Sequence, residues 1–193
     1  MEQLIEEPLK EVLWLSEWMA RSSEFKGFVL SAALMIVESY KSGGKVLACG
    51  NGGSAADAQH FVGELVGKYD FDRPPLRAIA LTTDTSVLTA VGNDYGFDEV
   101  FARQVAAHAS SGDVLVALST SGSSPNVLGA CRSARQRGTH VIGFTGCKGD
   151  ALKQMSDLCL AVPSAATPRI QEVHQVAYHV ICHLVEERMF GCA

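Results

Sequence analysis

Lys45-Val46-Leu47-Ala48-Cys49-Gly50-Asn51-Gly52-Gly53-Ser54-Ala55-Ala56-Asp57-Ala58-Gln59-His60 runs from a short apolar stretch through a glycine-rich turn into a segment with helical spacing. This strand, turn and helix decide the fold. Gly50, Gly52 and Gly53 let the backbone take angles that a β-carbon forbids and let a ligand approach closely. The helix behind them offers unpaired N–H groups and the positive end of its dipole, which suit an anion. His60 and Glu64 then stand one turn apart, at i and i+4, on one face of that helix. A ligand cradle and a reactive pair on one unit point to an enzyme.

The same alternation continues along the chain. Short apolar runs at 45–49, 77–81, 113–118, 140–144 and 158–162 read as strands covered on both faces. Helical patterns fill 55–68, 86–91, 98–109, 125–137 and 151–155, and a last helix spans 168–189. Thr167 is the expected N-cap of that helix, Pro168 suits its first position, and Gly191 follows its end. Ahead of the first strand lie two helical segments, 5–20 and 24–40, the first with an apolar stripe of Leu9, Val12, Leu13, Leu15 and Trp18. Ser42-Gly43-Gly44 ends the second. The expected architecture is α/β: a doubly wound, mainly parallel five-stranded sheet, flavodoxin-like, with two leading N-terminal helices. One domain covers 1–193, with a helical pair at 1–42 and an α/β core at 43–193 that ends in a long helix. Ligands of such sheets bind beyond the carboxyl ends of the strands, where the turns after the first and third strands lie.

Composition excludes several classes. A net charge of −5 without a cluster of Lys and Arg argues against nucleic acid. The acidic start Met1-Glu2-Gln3-Leu4-Ile5-Glu6-Glu7 is unlike a signal peptide, and no apolar run reaches the ~18 residues of a membrane span, so a cytoplasmic protein with no membrane partner is expected. Six cysteines without CxxC spacing read as reduced thiols, with Cys192 exposed beside the C-terminus.

A second site candidate follows the third strand: Ser119-Thr120-Ser121-Gly122-Ser123-Ser124, then Pro125 opening a helix. Clustered hydroxyls and free N–H groups at a helix start can hold a phosphate without lysine, although serine-rich loops with an N-cap serine are also common for purely structural reasons. The glycine turn is not a dinucleotide fingerprint, because Ala55 occupies the sixth position and no acidic residue ends the next strand. His60 and Glu64 also fit an ordinary surface pair, and on the last helix Gln171, His174, His179 and His183 offer several further candidates.

Five motifs in order resolve these alternatives. Cys49-Gly50-Asn51-Gly52-Gly53-Ser54, His60-Phe61 with Glu64-Leu65, Gly92-Asn93-Asp94-Tyr95, Ser119-Thr120-Ser121-Gly122 and Arg169-Ile170-Gln171-Glu172 together resemble the phosphoheptose isomerase family, built on the sugar isomerase (SIS) domain. The resemblance spans nearly the whole chain. It implies Glu64 as general base and His179 as its partner acid, with His174 and His183 outside the site. It implies a zinc site, one Zn2+ per subunit, at His60, Glu64, Gln171 and His179, and a phosphate loop at Ser119, Thr120, Ser121 and Ser124. Sugar contacts fall to Asn51, Gly52, Gly53, Ser54, Asn93, Asp94 and Gln171. The implied substrate is a phosphorylated seven-carbon sugar, sedoheptulose 7-phosphate. The implied assembly is a homotetramer with active sites at subunit interfaces. Gly146-Cys147-Lys148-Gly149-Asp150 departs from the family's second glycine-rich turn. A similar SIS-domain protein that binds the replication initiator DnaA shares three of these motifs but lacks the acid–base pair, which makes it the alternative.

The implied chemistry suits these residue types. Turning a 2-ketose into an aldose moves one proton between two carbons and another between two oxygens. A carboxylate can take the first, giving a cis-enediol, and an imidazole that titrates near neutrality can relay the second.

Overall fold

The computed structural model describes residues 1–191; Cys192, expected to be exposed, lies outside the described residues. Five parallel strands form one sheet: β1 (Val46–Gly50), β2 (Ala78–Ala80), β3 (Val114–Leu118), β4 (His140–Gly146) and β5 (Leu158–Val162), in the order β2-β1-β3-β4-β5. The helices are α1 (Glu2–Arg21), α2 (Ser23–Lys41), α3 (Gly53–Val66), α4 (Thr85–Tyr95), α5 (Val100–His108), α6 (Pro125–Gln136), α7 (Asp150–Met155) and α8 (Thr167–Phe190). A single 3-10 turn, Phe97–Glu99, precedes α5 where one continuous helix was expected. The chain leaves β1 toward β2 on one side and returns to β3 on the other. The carboxyl ends of β1 and β3 therefore flank the switch point where this fold binds ligands.

The expected doubly wound architecture is present, and the strands show why. Alternate residues along a strand point to opposite faces. Val46, Ala48, Val116, Leu118, Ile142 and Phe144 join a core beneath α2, α3 and α8. Leu47, Cys49, Leu115, Ala117 and Val141 join a second core beneath α5, α6 and α7. With both faces covered, neither set can be polar, and the strands read as unbroken apolar runs. Cys49, Cys131, Cys147, Cys159 and Cys182 are free thiols.

Boundaries differ from expectation where side chains take over backbone partners. Asp113 was expected to open the third strand and Lys45 the first. Instead the buried Asp113 carboxylate accepts from Lys45 N (2.9 Å), Lys45 Nζ (2.6 Å) and Ser110 N (2.7 Å), tying both strand entrances together. Thr167 is the first residue of α8, not its cap; Ala166 holds the cap position and makes no side-chain bond there. The apolar stripe of α1 is only partly buried in the chain: Leu15 is packed and Val12 and Trp18 are half-buried, whereas Leu9 is 57% and Leu13 67% exposed.

His174 is fully buried on α8, with Nε2 3.3 Å from the Thr145 carbonyl and its ring edge-on to Phe144. Burial lowers its pKa to about 4, against a smaller opposing effect of the Thr145 contact. The unfolded chain, with histidine near 6.5, then binds the proton more readily. Stability is expected to be level above about pH 6.5 and to fall by roughly 2 kcal/mol between pH 7 and 5. Urea unfolding at the two pH values checks this, and His174→Gln should flatten the fall.

Candidate active site

β1 delivers the chain into the glycine turn. Gly52 has φ +56°, a left-handed conformation, and α3 begins at Gly53. The side chain of Gln171, from the first turns of α8, lies against this turn: a β-carbon on Gly53 would come within 2.5 Å of Gln171 Nε2. Ser54 is buried beneath it. Asn51 exchanges two 2.9 Å hydrogen bonds with Asn126 of α6, amide to amide, and so links this turn to the loop after β3. Asn126 was not among the expected site residues; its signal in the sequence was only its place in the first turn of a helix behind the hydroxyl loop.

That loop is a knot of hydroxyls. Ser119 Oγ lies 2.9 Å from Ser124 Oγ and 3.4 Å from Ser121 Oγ, and Ser123 N–H donates to Ser121 Oγ. Ser124 precedes α6 but its side chain makes no capping bond, so the structural role of an N-cap serine does not account for it. Gly122, at φ +65°, sits where a β-carbon would overlap Gly149 and approach Thr145 Oγ1 to 2.7 Å. The atypical 146–150 segment is tied to this loop: Gly146 N–H donates to the Thr120 carbonyl, and Leu152 N–H donates to Gly122. A cavity of about 310 Å³ opens here, lined by Thr120, Ser121, Lys148, Ser164 and Thr167.

A third group forms farther along α3. His60 Nε2 lies 2.9 Å from Glu64 Oε1 and 3.3 Å from His179 Nε2 of α8. One ligand atom from each of the three residues falls within 4.8 Å of the others. Two imidazole nitrogens and a carboxylate oxygen at that spacing are a donor set that fits zinc and leaves further positions open. Burial lowers the His179 pKa, helped by the neighbouring His60 and opposed by Glu64. Beneath the group, the Tyr178 hydroxyl reaches His60 Nδ1 at 3.0 Å and Asp57 Oδ1 at 3.5 Å. Burial raises the pKa of Tyr178, and Asp57 adds to the effect.

The end of α3 that carries Glu64 is pinned by a buried ion pair. Arg73 donates to the carbonyls of Glu64 (2.8 Å) and Leu65 (2.7 Å), which the helix end leaves unpaired, and to Glu186 Oε1 of α8 (2.9 Å). Glu186 also accepts from the backbone N–H groups of Tyr69 and Asp70. Burial alone would raise its pKa, but these bonds outweigh it and hold the carboxyl below its ordinary value.

Not every expected residue joins these groups. Gln171 stands eight positions before His179 on α8, about 12 Å along the axis, and its side chain lies against the glycine turn at Gly53. Asn93 and Asp94 are exposed on α4 and bond to each other (2.7 Å) rather than to another expected site residue among those described. His183 pairs with Asp70 on the surface, and His174 is buried in the core; both were expected to lie outside the site.

Comparison with known proteins identifies the lineage. The SIS-domain profile matches residues 15–146. A phosphoheptose isomerase from Rhodospirillum rubrum is 56% identical over 161 residues, 83% of this chain and 86% of that protein. The chain belongs to the phosphoheptose isomerase family. Among solved structures, phosphoheptose isomerase from Neisseria gonorrhoeae aligns with a TM-score of 0.89 at 42% identity, covering 96% of this chain and 98% of that one. The Francisella tularensis phosphoheptose isomerase gives 0.91 at 39% identity, covering 96% and 97%.

Gly122 and Gly43 separate two costs of the left-handed conformation. Gly43, at φ +79°, has open space around it, whereas Gly122 is enclosed. Gly43→Ala should lose only about 1 kcal/mol, and Gly122→Ala on the order of 3 kcal/mol, from strain plus overlap. Denaturant unfolding of the two variants checks the difference.

Proposed function

We propose that this protein is an aldose–ketose isomerase that converts sedoheptulose 7-phosphate to D-glycero-D-manno-heptose 7-phosphate. The observation that carries this reading is the meeting of Glu64 and His179 across two helices, in a chain 56% identical to a named phosphoheptose isomerase. Ser119, Thr120, Ser121 and Ser124 hold the phosphate and fix the far end of the sugar, converting binding into orientation. Asn51, Gly52, Gly53, Ser54 and Gln171 shape the adjoining wall, and Asn93 and Asp94 approach from α4.

The reaction needs two proton movements. Glu64 takes a proton from C1 of the ketose, giving the cis-enediol, and returns one at C2. His179 moves the second between O1 and O2, leaving the aldehyde at C1. Its lowered pKa keeps the ring neutral and able to accept. A zinc ion held by His60, Glu64 and His179 would polarise the carbonyl as a Lewis acid, with the relay falling to His179 while its nitrogen is free of the metal. Nothing in the site favours the non-enzymatic, DnaA-binding reading.

We further propose a cytoplasmic homotetramer with shared active sites, in which the product enters nucleotide-activated heptose synthesis for lipopolysaccharide or a related glycan. Two observations support sharing. Glu64 lies eleven residues beyond Gly53 on α3, about 16 Å along the axis, so the glycine turn and Glu64 stand at opposite ends of that helix. The exposed Ile5, Leu9 and Leu13, at i, i+4 and i+8 on α1, also line one apolar stripe that an assembly would cover. The open position beside His60, Glu64 and His179 is then met by another copy.

Turnover of sedoheptulose 7-phosphate tests the reaction. Glu64→Gln should lower kcat on the order of a thousandfold with folding intact, and near-normal turnover would rule out the base. Sharing is tested by mixing inactive Glu64→Gln subunits with Ser119→Ala/Ser121→Ala subunits. Partial recovery of activity is expected, and no recovery in confirmed hybrids places all groups of one site in one chain.

A further inference from the structure

Two groups beneath the His60 cluster have no part in the chemistry above. Tyr178 is 1% exposed and packs among core residues, where a phenylalanine would fill the same space. Its hydroxyl is nevertheless aimed at two polar atoms, His60 Nδ1 at 3.0 Å and Asp57 Oδ1 at 3.5 Å. Asp57 Oδ2 is buried and has no hydrogen-bond partner among the described residues. A buried hydroxyl between an imidazole and a carboxylate calls for a physical account.

The proton count supplies one. A phenol has one proton to donate and can also accept, a carboxylate only accepts, and a neutral imidazole carries one N–H and one bare nitrogen. When His60 Nε2–H donates to Glu64 Oε1 across 2.9 Å, Nδ1 is bare and takes the Tyr178 proton. When Nε2 instead offers its lone pair to a cation, Nδ1 bears the ring proton and donates to the Tyr178 oxygen. The phenol proton must then go elsewhere, and Asp57 is the acceptor within reach. Both arrangements use the same atoms in the same places. Only the direction of the hydrogen bonds changes.

We propose that Tyr178, backed by Asp57, is a positioning residue that holds the His60 ring with Nε2 toward Glu64 and His179 and lets that nitrogen serve as a ligand for a divalent cation. The inference rests on the reading of His60, Glu64 and His179 as a metal centre. Ring packing adds to the hold: His60 lies edge-on to Tyr178 at 5.5 Å and to His179 at 4.9 Å between centroids. Hydrogen bonds to the far nitrogen of a ligating histidine fix its tautomer and raise its basicity, and their loss commonly costs about 10–100-fold in metal affinity.

The test measures metal binding directly. Zn2+ affinity by chelator competition and Co2+ absorption spectra are compared for the wild type, Tyr178→Phe and Asp57→Ala, with His60→Ala marking the site. Tyr178→Phe should keep a near-normal melting temperature, lose about 10–100-fold in Zn2+ affinity and alter the Co2+ spectrum. Its kcat should fall while KM stays within about twofold, since the phosphate loop is untouched. Asp57→Ala should weaken Zn2+ in the same direction, and it carries the test if Tyr178→Phe does not fold. Wild-type affinity in the folded variants overturns the proposal and leaves the metal centre standing. A wild type that binds neither ion at His60 overturns the metal centre and the proposal together, while its turnover separately decides the isomerase reading.

Discussion

Packing of α3 against α8 is the contact on which the chemistry depends. Phe61 and Tyr178 meet in the core at 5.9 Å between ring centroids, both almost fully buried. Burying two aromatic side chains contributes several kcal/mol, so the relative position of the helices is strongly set. The residues beside them, His60 and His179, are carried into contact by the same packing. A carboxylate and two imidazoles pressed together gain little by themselves. The aromatic core beneath supplies the stability that holds them there.

The Arg73–Glu186 pair completes the hold at the far end of α3. It is buried on both sides, and buried ion pairs often fail to offset their desolvation. Here each partner is saturated by further bonds, Arg73 to carbonyls at the helix end and Glu186 to backbone N–H groups of the following loop. The pair therefore does more than bridge two charges. It ends α3, fixes the 67–73 loop and anchors both to α8, leaving Tyr69 beside His179 with ring centroids 6.0 Å apart.

The phosphate side of the molecule depends on a different constraint, the parallel pairing of β1 with β3. Register from Val46↔Val114 to Gly50↔Leu118 brings the glycine turn and the hydroxyl loop to the same edge of the sheet, and the Asn51–Asn126 amide pair joins them there. The two functional regions are thus built separately, one on the sheet edge and one on the flank of two helices. Their distance along α3 is what makes assembly part of the proposed function.

Much of this was legible in the chain itself. Strand identities follow from short unbroken apolar runs and helix identities from a period of 3.6 residues, and the two turns announce themselves through glycine and serine, because local backbone geometry limits which residues fit. The pairing of His60 with Glu64 is likewise local, one helical turn apart. Residue identity by itself does not say that His60 meets His179, 119 positions away, that Asn126 faces Asn51, or that Tyr178 touches His60 rather than solvent. Nor does spacing along one helix reveal that Gln171 faces the glycine turn while His179 faces His60. These outcomes depend on strand order and on how two helices settle against each other. Local sequence determines which elements form and which face of each is apolar; only the packed sheet and helices decide which polar side chains end within bonding distance.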